Sequence, residues 1–139
     1  MDEDYPALFM KYDDPVHLEF PRGFDRADAN ARFNEFAAEL SRRSHAEYET
    51  ETGLYIQDAS FHSQIHLPDG RLRFSSFGEM IAFTPDHEVP PPLVDIIRDL
   101  ARERGYLLVP TEVLETSYVN VKPAFSGIES WWIRFFDWL

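Results

Sequence analysis

The sequence predicts an α+β domain, with a mostly antiparallel sheet of about five or six strands, two main helices and a short aromatic C-terminal helix. Three observations predict it. Residues 28–43 carry an apolar stripe of helical period, and an Asp69-Gly70 pair sits between two alternating segments. Pro90-Pro91-Pro92 leads into a second helical stripe that stops at Gly105.

Along the chain, Val16, Leu18 and Phe20 alternate with His17 and Glu19, which reads as a strand closed by Pro21. From Asp28 to Arg43, Ala29, Phe33, Phe36, Ala37 and Leu40 share one helix face, with Asp25 or Asp28 as the cap. Leu54 to Ala59 extends the following strand or forms its own. A two-residue Asp69-Gly70 turn sets Leu67 opposite Leu72, Ile65 opposite Phe74 and His66 opposite Arg73. A three-residue loop would set Leu67 and Ile65 against Arg71 and Arg73 instead, so apolar pairing favours the shorter turn. Phe77-Gly78 then turns into a strand over Glu79 to Thr84. The second helix spans about Leu93 to Arg104, with Leu93, Ile96, Ile97 and Leu100 buried. Tyr106 to Val109 reads as a short strand, Val113-Leu114 as a turn, and Tyr118 to Val121 as another extended piece. The last helix, about Ser130 to Leu139, is apolar apart from Arg134 and Asp137, which share one narrow stripe. A helix of this kind is expected to be buried on most sides, or to offer Trp and Phe as an interface.

At 139 residues, 44% of them apolar, the chain is one domain over residues 1–139 that is long enough to bury its own core. It contains no Cys, which removes disulfides, thiolate catalysis and zinc sites built on thiolates. With no apolar run of membrane-helix length and an acidic Met1-Asp2-Glu3-Asp4 start, a cytoplasmic, membrane-free protein is expected. Charge is the most informative global property. The 25 acids and 13 bases leave a net charge of −12, and 14 of the acids fall within the first 58 residues. Such a field repels nucleic-acid phosphates and attracts a basic protein, although the same acidity also serves solubility alone.

Several residue groups invite chemistry. Asp58, Ser60 and His62 hold the residue types of a hydrolase triad. Neighbours along one strand are about 7 Å apart at i, i+2, and no Gly-x-Ser-x-Gly turn exposes the serine, so the row reads first as the polar face of a strand. His62 and His66 lie on one side of that strand but about 13 Å apart by rise, too far for one metal ion. No metal or cofactor is therefore expected, and no phosphate loop or dinucleotide fingerprint occurs. Glu47, Glu49 and Glu51 alternate on an extended segment and form an acidic edge. That edge suits a basic partner, or else discourages edge-to-edge pairing. Asp86 and Glu88 add acids in a loop. These five carboxylates are the candidate partner-binding residues.

The stretches Ile56 to His62, Leu72 to Gly78, Gly105-Tyr106 on to Pro110 and Leu114, and Trp132 to Asp137 resemble small uncharacterised bacterial α+β proteins. In format and charge, the chain is similar to immunity proteins of bacterial toxin systems. That resemblance implies a non-catalytic domain that neutralises a basic toxin through an acidic surface, and it transfers no residue roles. Two other functions remain open at this point. One is a small hydrolase using Asp58, Ser60 and His62; the other is a structural or adaptor subunit using the Trp-rich tail.

Overall fold

The computed structural model describes residues 4–13, 23–52, 61–85, 87–116 and 130–137. In chain order these form helices α1 (Tyr5–Tyr12) and α2 (Arg26–Ser44), then strands β1 (Thr50–Thr52), β2 (Phe61–Leu67), β3 (Gly70–Ser75) and β4 (Met80–Phe83). Helix α3 (Pro91–Arg104), strand β5 (Leu107–Leu108), the short helix α4 (Thr111–Leu114) and a π-helical segment (Ile133–Asp137) follow. The expected strands at 16–20, 54–59 and 118–121 lie outside the described residues.

The class is α+β, as expected, but the sheet is mixed. Its order is β1-β2-β3-β4-β5, with antiparallel pairs up to β4 and a parallel β4–β5 pair. A parallel neighbour needs a crossover, and α3 supplies it. Alternation along the strands divides the core between the two faces. Ile65, Leu72, Phe74, Ile81 and Phe83 pack with Phe33, Phe36 and Leu40 of α2 and Leu93, Ile97 and Leu100 of α3. On the opposite face Met80 and Ala82 join Phe9 of α1, Leu114 of α4, and Trp131, Trp132, Phe135 and Phe136 of the C-terminal helix.

Both main helices start and stop for local reasons. The Asp25 side chain accepts from Asp28 N at the start of α2, and His45 ends the helix in the left-handed region. Prolines open α3, and Gly105, at φ 79°, closes it with its N–H on the Ala101 and Arg102 carbonyls. The α1 helix was absent from the sequence reading. Asp4 caps it and Pro6 sits in its first turn, but eight residues with apolar groups on every side offer no periodic contrast.

The β2–β3 register differs from the expected one by two residues. Leu67 pairs with Gly70, Ile65 with Leu72, Ser63 with Phe74 and His66 with Arg71, so the turn residues are Pro68 and Asp69. Proline's fixed φ suits the first turn position, and Asp69 takes the left-handed second at φ 60°. A shift of two keeps the side chains from Ser63 onward on their expected faces, which is why the apolar pattern did not expose it. Gly70 is needed for room. A Cβ there would lie 2.8 Å from His87 Cβ and 2.9 Å from Val89 Cγ2, where the loop before α3 crosses the hairpin. The next turn is left-handed at both Gly78 and Glu79, and the Tyr12 ring lies so close over Gly78 that a Cβ would meet its Cγ at 2.4 Å.

The C-terminal segment is core. Trp131 stacks on Phe135 and Trp132 on Phe136, with ring centroids 5.3 Å apart in each pair. Arg134, on the narrow polar stripe of this apolar segment, is fully buried. Its Nε donates to Asp13 Oδ1 at 2.6 Å, and its guanidinium carbon sits 4.4 Å from the Phe77 ring centroid. Arg73 ties the same segment to the sheet by donating to the Gln64 side chain and to the Phe136 carbonyl, both at 3.0 Å. With Trp131, Trp132, Phe135 and Phe136 all buried, the described part of the tail offers no aromatic surface to an adaptor partner. No described helix is long and apolar enough to cross a membrane.

Candidate functional site

Two regions gather polar residues, at opposite ends of the sheet. The first is the β2–β3 turn end. His66 N donates to the Glu49 carbonyl and Glu88 N to the Asp69 carbonyl, each at 2.8 Å, which brings the segment before β1 and the loop after β4 beside this turn. Glu47, Glu49, Asp69 and Glu88 are exposed there, and none of the four forms an ion pair with another described residue. Four other described acids spend their charge internally, whereas Asp28, Glu35, Asp99, Glu112 and Glu115 are exposed elsewhere on the surface. Glu39 pairs with Arg42 and Arg43, Glu103 with Arg43, Glu79 with Arg32 and Asp95 with Arg98. Glu51, the third member of the expected acidic edge, also turns inward. Its carboxylate binds His66 Nε2 and accepts from Gln64 Nε2 at 2.9 Å, and the His66 bond in particular holds it below the usual carboxylate range. Glu51 is therefore a structural residue of the sheet face. Asp86 lies outside the described residues. Asp69, read as a turn residue only, joins the acidic group through the crossing of two loops, which no local pattern signals.

The second region is a cavity of about 330 Å³ at the other end of the sheet. Its lining includes Phe24, Asp25 and Asp28 at the start of α2, Arg32 one turn further on, His62 of β2, Ser76, Glu79 and Tyr106. A β-bulge makes His62 part of it. The β2–β3 register slips between Phe61 and Ser63, so His62 is the extra residue and turns toward Phe24 and Phe74, while His66 faces Glu51. The two histidines, expected on one side of the strand, are on opposite faces. Among the described residues no group of three or more His, Asp or Glu is placed to hold a metal ion.

The hydrogen bonds around His62 fix its tautomer. Thr52 Oγ1 donates its one hydrogen to Asn30 Oδ1 at 2.9 Å, so the 2.7 Å contact between Thr52 and Ser63 is donated by Ser63. With that hydrogen spent, Ser63 Oγ accepts from His62 Nδ1 at 2.8 Å. The ring thus carries its proton on Nδ1 and a lone pair on Nε2. This is the reverse of a serine activated by a base, because Ser63 receives a proton contact from the imidazole and gives none to it. Asp58 and Ser60, the other members of the expected triad, lie outside the described residues. No family model matches this chain, and no curated protein or solved structure is significantly similar to it.

Burial, reinforced by Arg26 and Arg32, pushes His62 down from its ordinary 6.5 to about 4. Burial likewise pushes the Tyr106 hydroxyl up to about 12. Across the cavity Arg32 is held charged, chiefly by Glu79, and it also donates to the Arg104 carbonyl at 2.9 Å. The His62 shift has a consequence for stability. A histidine with a folded pKa below its unfolded one binds its proton first in the unfolded chain. Stability is then full above about pH 6.5 and falls as pH drops toward about 4. The loss approaches roughly 3 kcal/mol at the acid limit. Urea unfolding at pH 7.5 and 4.5 checks this: His62→Gln should flatten the pH slope, and an unchanged slope would assign it to other groups.

Proposed function

We propose that this chain is a non-catalytic binding domain for a basic protein, in the manner of an immunity protein that neutralises a basic toxin. One observation carries the reading: Glu47, Glu49, Asp69 and Glu88 stand together, exposed and unpaired, at one end of the sheet. Unpaired carboxylates grouped on rigid turns and strand ends accelerate encounter with a positively charged surface and set its orientation. The net charge of −12 extends the attraction beyond contact distance. Arg71, opposite His66 in the neighbouring strand, acts electrostatically on Glu51, and it forms no ion pair with the outer four carboxylates among the described residues.

The test is affinity capture from the native host with the intact chain, at about 50 mM and about 500 mM salt. A basic protein should be retained at low salt and released at high salt. The triple variant Glu47→Lys, Glu49→Lys, Glu88→Lys should bind it at least ~10-fold more weakly, mainly through slower association. Recovery of no basic protein at either salt, or equal retention by the triple variant, contradicts the proposal.

A further inference from the structure

We propose that the cavity between the start of α2 and the β3–β4 turn is a binding site for a small organic cation bearing several N–H donors, an alkylguanidinium or alkylammonium group. This site is independent of the acidic end, because β2 runs from His62 in the cavity to Leu67 beside the other turn.

Two unfilled hydrogen-bonding groups point to a ligand. Ser76 Oγ is buried, lines the cavity and has no partner among the described residues. His62 is 4% exposed; its Nδ1 is committed to Ser63, and its Nε2 lone pair has no hydrogen-bond partner among the described residues. A polar atom as enclosed as Ser76 Oγ is normally satisfied and stays costly until a ligand or water meets it, and His62 adds an open acceptor to the same cavity.

The lining then selects the kind of ligand. His62 Nε2 can only accept, and the Asp28 carboxylate elsewhere in the lining can only accept. Asp25 already caps α2 with one oxygen and keeps the other. Three carboxylates, Asp25, Asp28 and Glu79, line the cavity with one guanidinium, that of Arg32, which spends its charge on Glu79; Arg26, outside the lining, also reaches His62 electrostatically. The site therefore offers acceptors and negative charge, and calls for donors and positive charge. An anion at this helix start would meet Asp25 and Asp28 first. Arg26 and Arg32 lie over the Phe24 and Tyr106 rings at 5.9 and 4.9 Å from their centroids. Both rings line the cavity, so what these cations leave uncovered supplies its apolar wall. A volume of about 330 Å³ accommodates a short alkyl chain with a terminal guanidinium, at the lower end of small-molecule sites. The low proton affinity of His62 agrees with this arrangement, since the ring stays a neutral acceptor through the physiological range.

The probe is agmatine, titrated into the intact, isotope-labelled chain and followed by NMR at the His62 ring nitrogens and the backbone amides. Saturable shifts are expected at His62, Ser76, Asp28 and Glu79. Ser76→Ala and Asp28→Asn should each weaken binding by roughly 5- to 10-fold. Neither change removes a hydrogen bond seen among the described side chains, so thermal unfolding of the free variants should stay close to that of the parent. A blocked Gly-Arg-Gly peptide in a second arm separates the sources of the cation: binding of agmatine alone indicates a free small molecule, and binding of both indicates a partner's arginine side chain. Absence of saturable shifts would leave water as the only occupant and overturn the proposal. Equal binding of a neutral alkylurea, equal binding of phosphate, or unchanged affinity in both variants would also overturn it. The Glu47, Glu49, Glu88 triple variant should bind agmatine as the parent does, so failure here and failure at the acidic end are separable.

Discussion

Replacing Arg134 by alanine is expected to destabilise the domain by about 3–5 kcal/mol, the usual cost of removing one partner from a buried ion pair. Both side chains of the Arg134–Asp13 pair are fully buried, with Nε 2.6 Å from Oδ1. Truncation deprives the Asp13 carboxylate of its guanidinium in a site lined by Phe9, Phe77 and Phe135, where water cannot replace it cheaply. It also removes the cation from the Phe77 face. The pair joins the end of α1 to the C-terminal segment across 121 positions of sequence, so its loss loosens two elements at once. Urea unfolding measures the effect. Adding Asp13→Asn to the Arg134→Ala background should recover part of the loss, because a carboxylate deprived of the guanidinium no longer has to be held in that site. A loss under about 1 kcal/mol for Arg134→Ala would mean that the pair is hydrated in solution.

Phe74→Ala is expected to cost a similar 3–5 kcal/mol on the other face of the sheet. Phe74 is fully buried, and Phe33, Phe36 and Tyr106 meet its ring edge-on, with centroids 4.8, 5.1 and 5.2 Å away. The substitution removes three edge-to-face contacts and leaves a cavity at the junction of α2, β3 and Tyr106. Rigid helix and sheet backbones collapse into such a space only partly. Phe74→Leu, which keeps most of the volume, should cost clearly less. Equal losses for the two variants would indicate that ring geometry, and not the filled volume, dominates at this position.

The parts of the fold visible in the sequence are those whose cause is local. Apolar period and caps located α2 and α3, since Asp25 and Gly105 act within a few residues of the helix ends. Alternation gave the correct faces of β3 and of β2 from Ser63 onward, but not their register. Parity is insensitive to a shift of two, and the space requirement at Gly70 comes from His87 and Val89, far along the chain. The parallel β4–β5 pair depends on the path of α3 over the sheet. The role of Arg134 was not legible because its partner, Asp13, lies at the opposite end of the sequence.

The candidate sites divide in the same way. Glu47, Glu49 and Glu88 were legible as a surplus of acid, and the crossing loops add Asp69 to them. Glu51 was indistinguishable from its neighbours until the sheet placed Gln64 and His66 beside it. The cavity collects residues from several separate stretches of chain. Its key member, His62, faces inward only because of a one-residue bulge. A period-2 pattern gives no sign of such a bulge.

The central claim is that the unpaired carboxylates at the β2–β3 turn end form the surface for a basic partner. Its most direct measurement is an NMR titration of the intact chain with an Arg- and Lys-rich peptide at low salt, mapped residue by residue. Shifts are expected to concentrate on residues 47–49, Asp69 and Glu88, and to disappear in the Lys triple variant. Shifts spread evenly over other exposed acids, such as Asp99, Glu112 and Glu115, would contradict the claim and reduce the acidity to a general property of the surface.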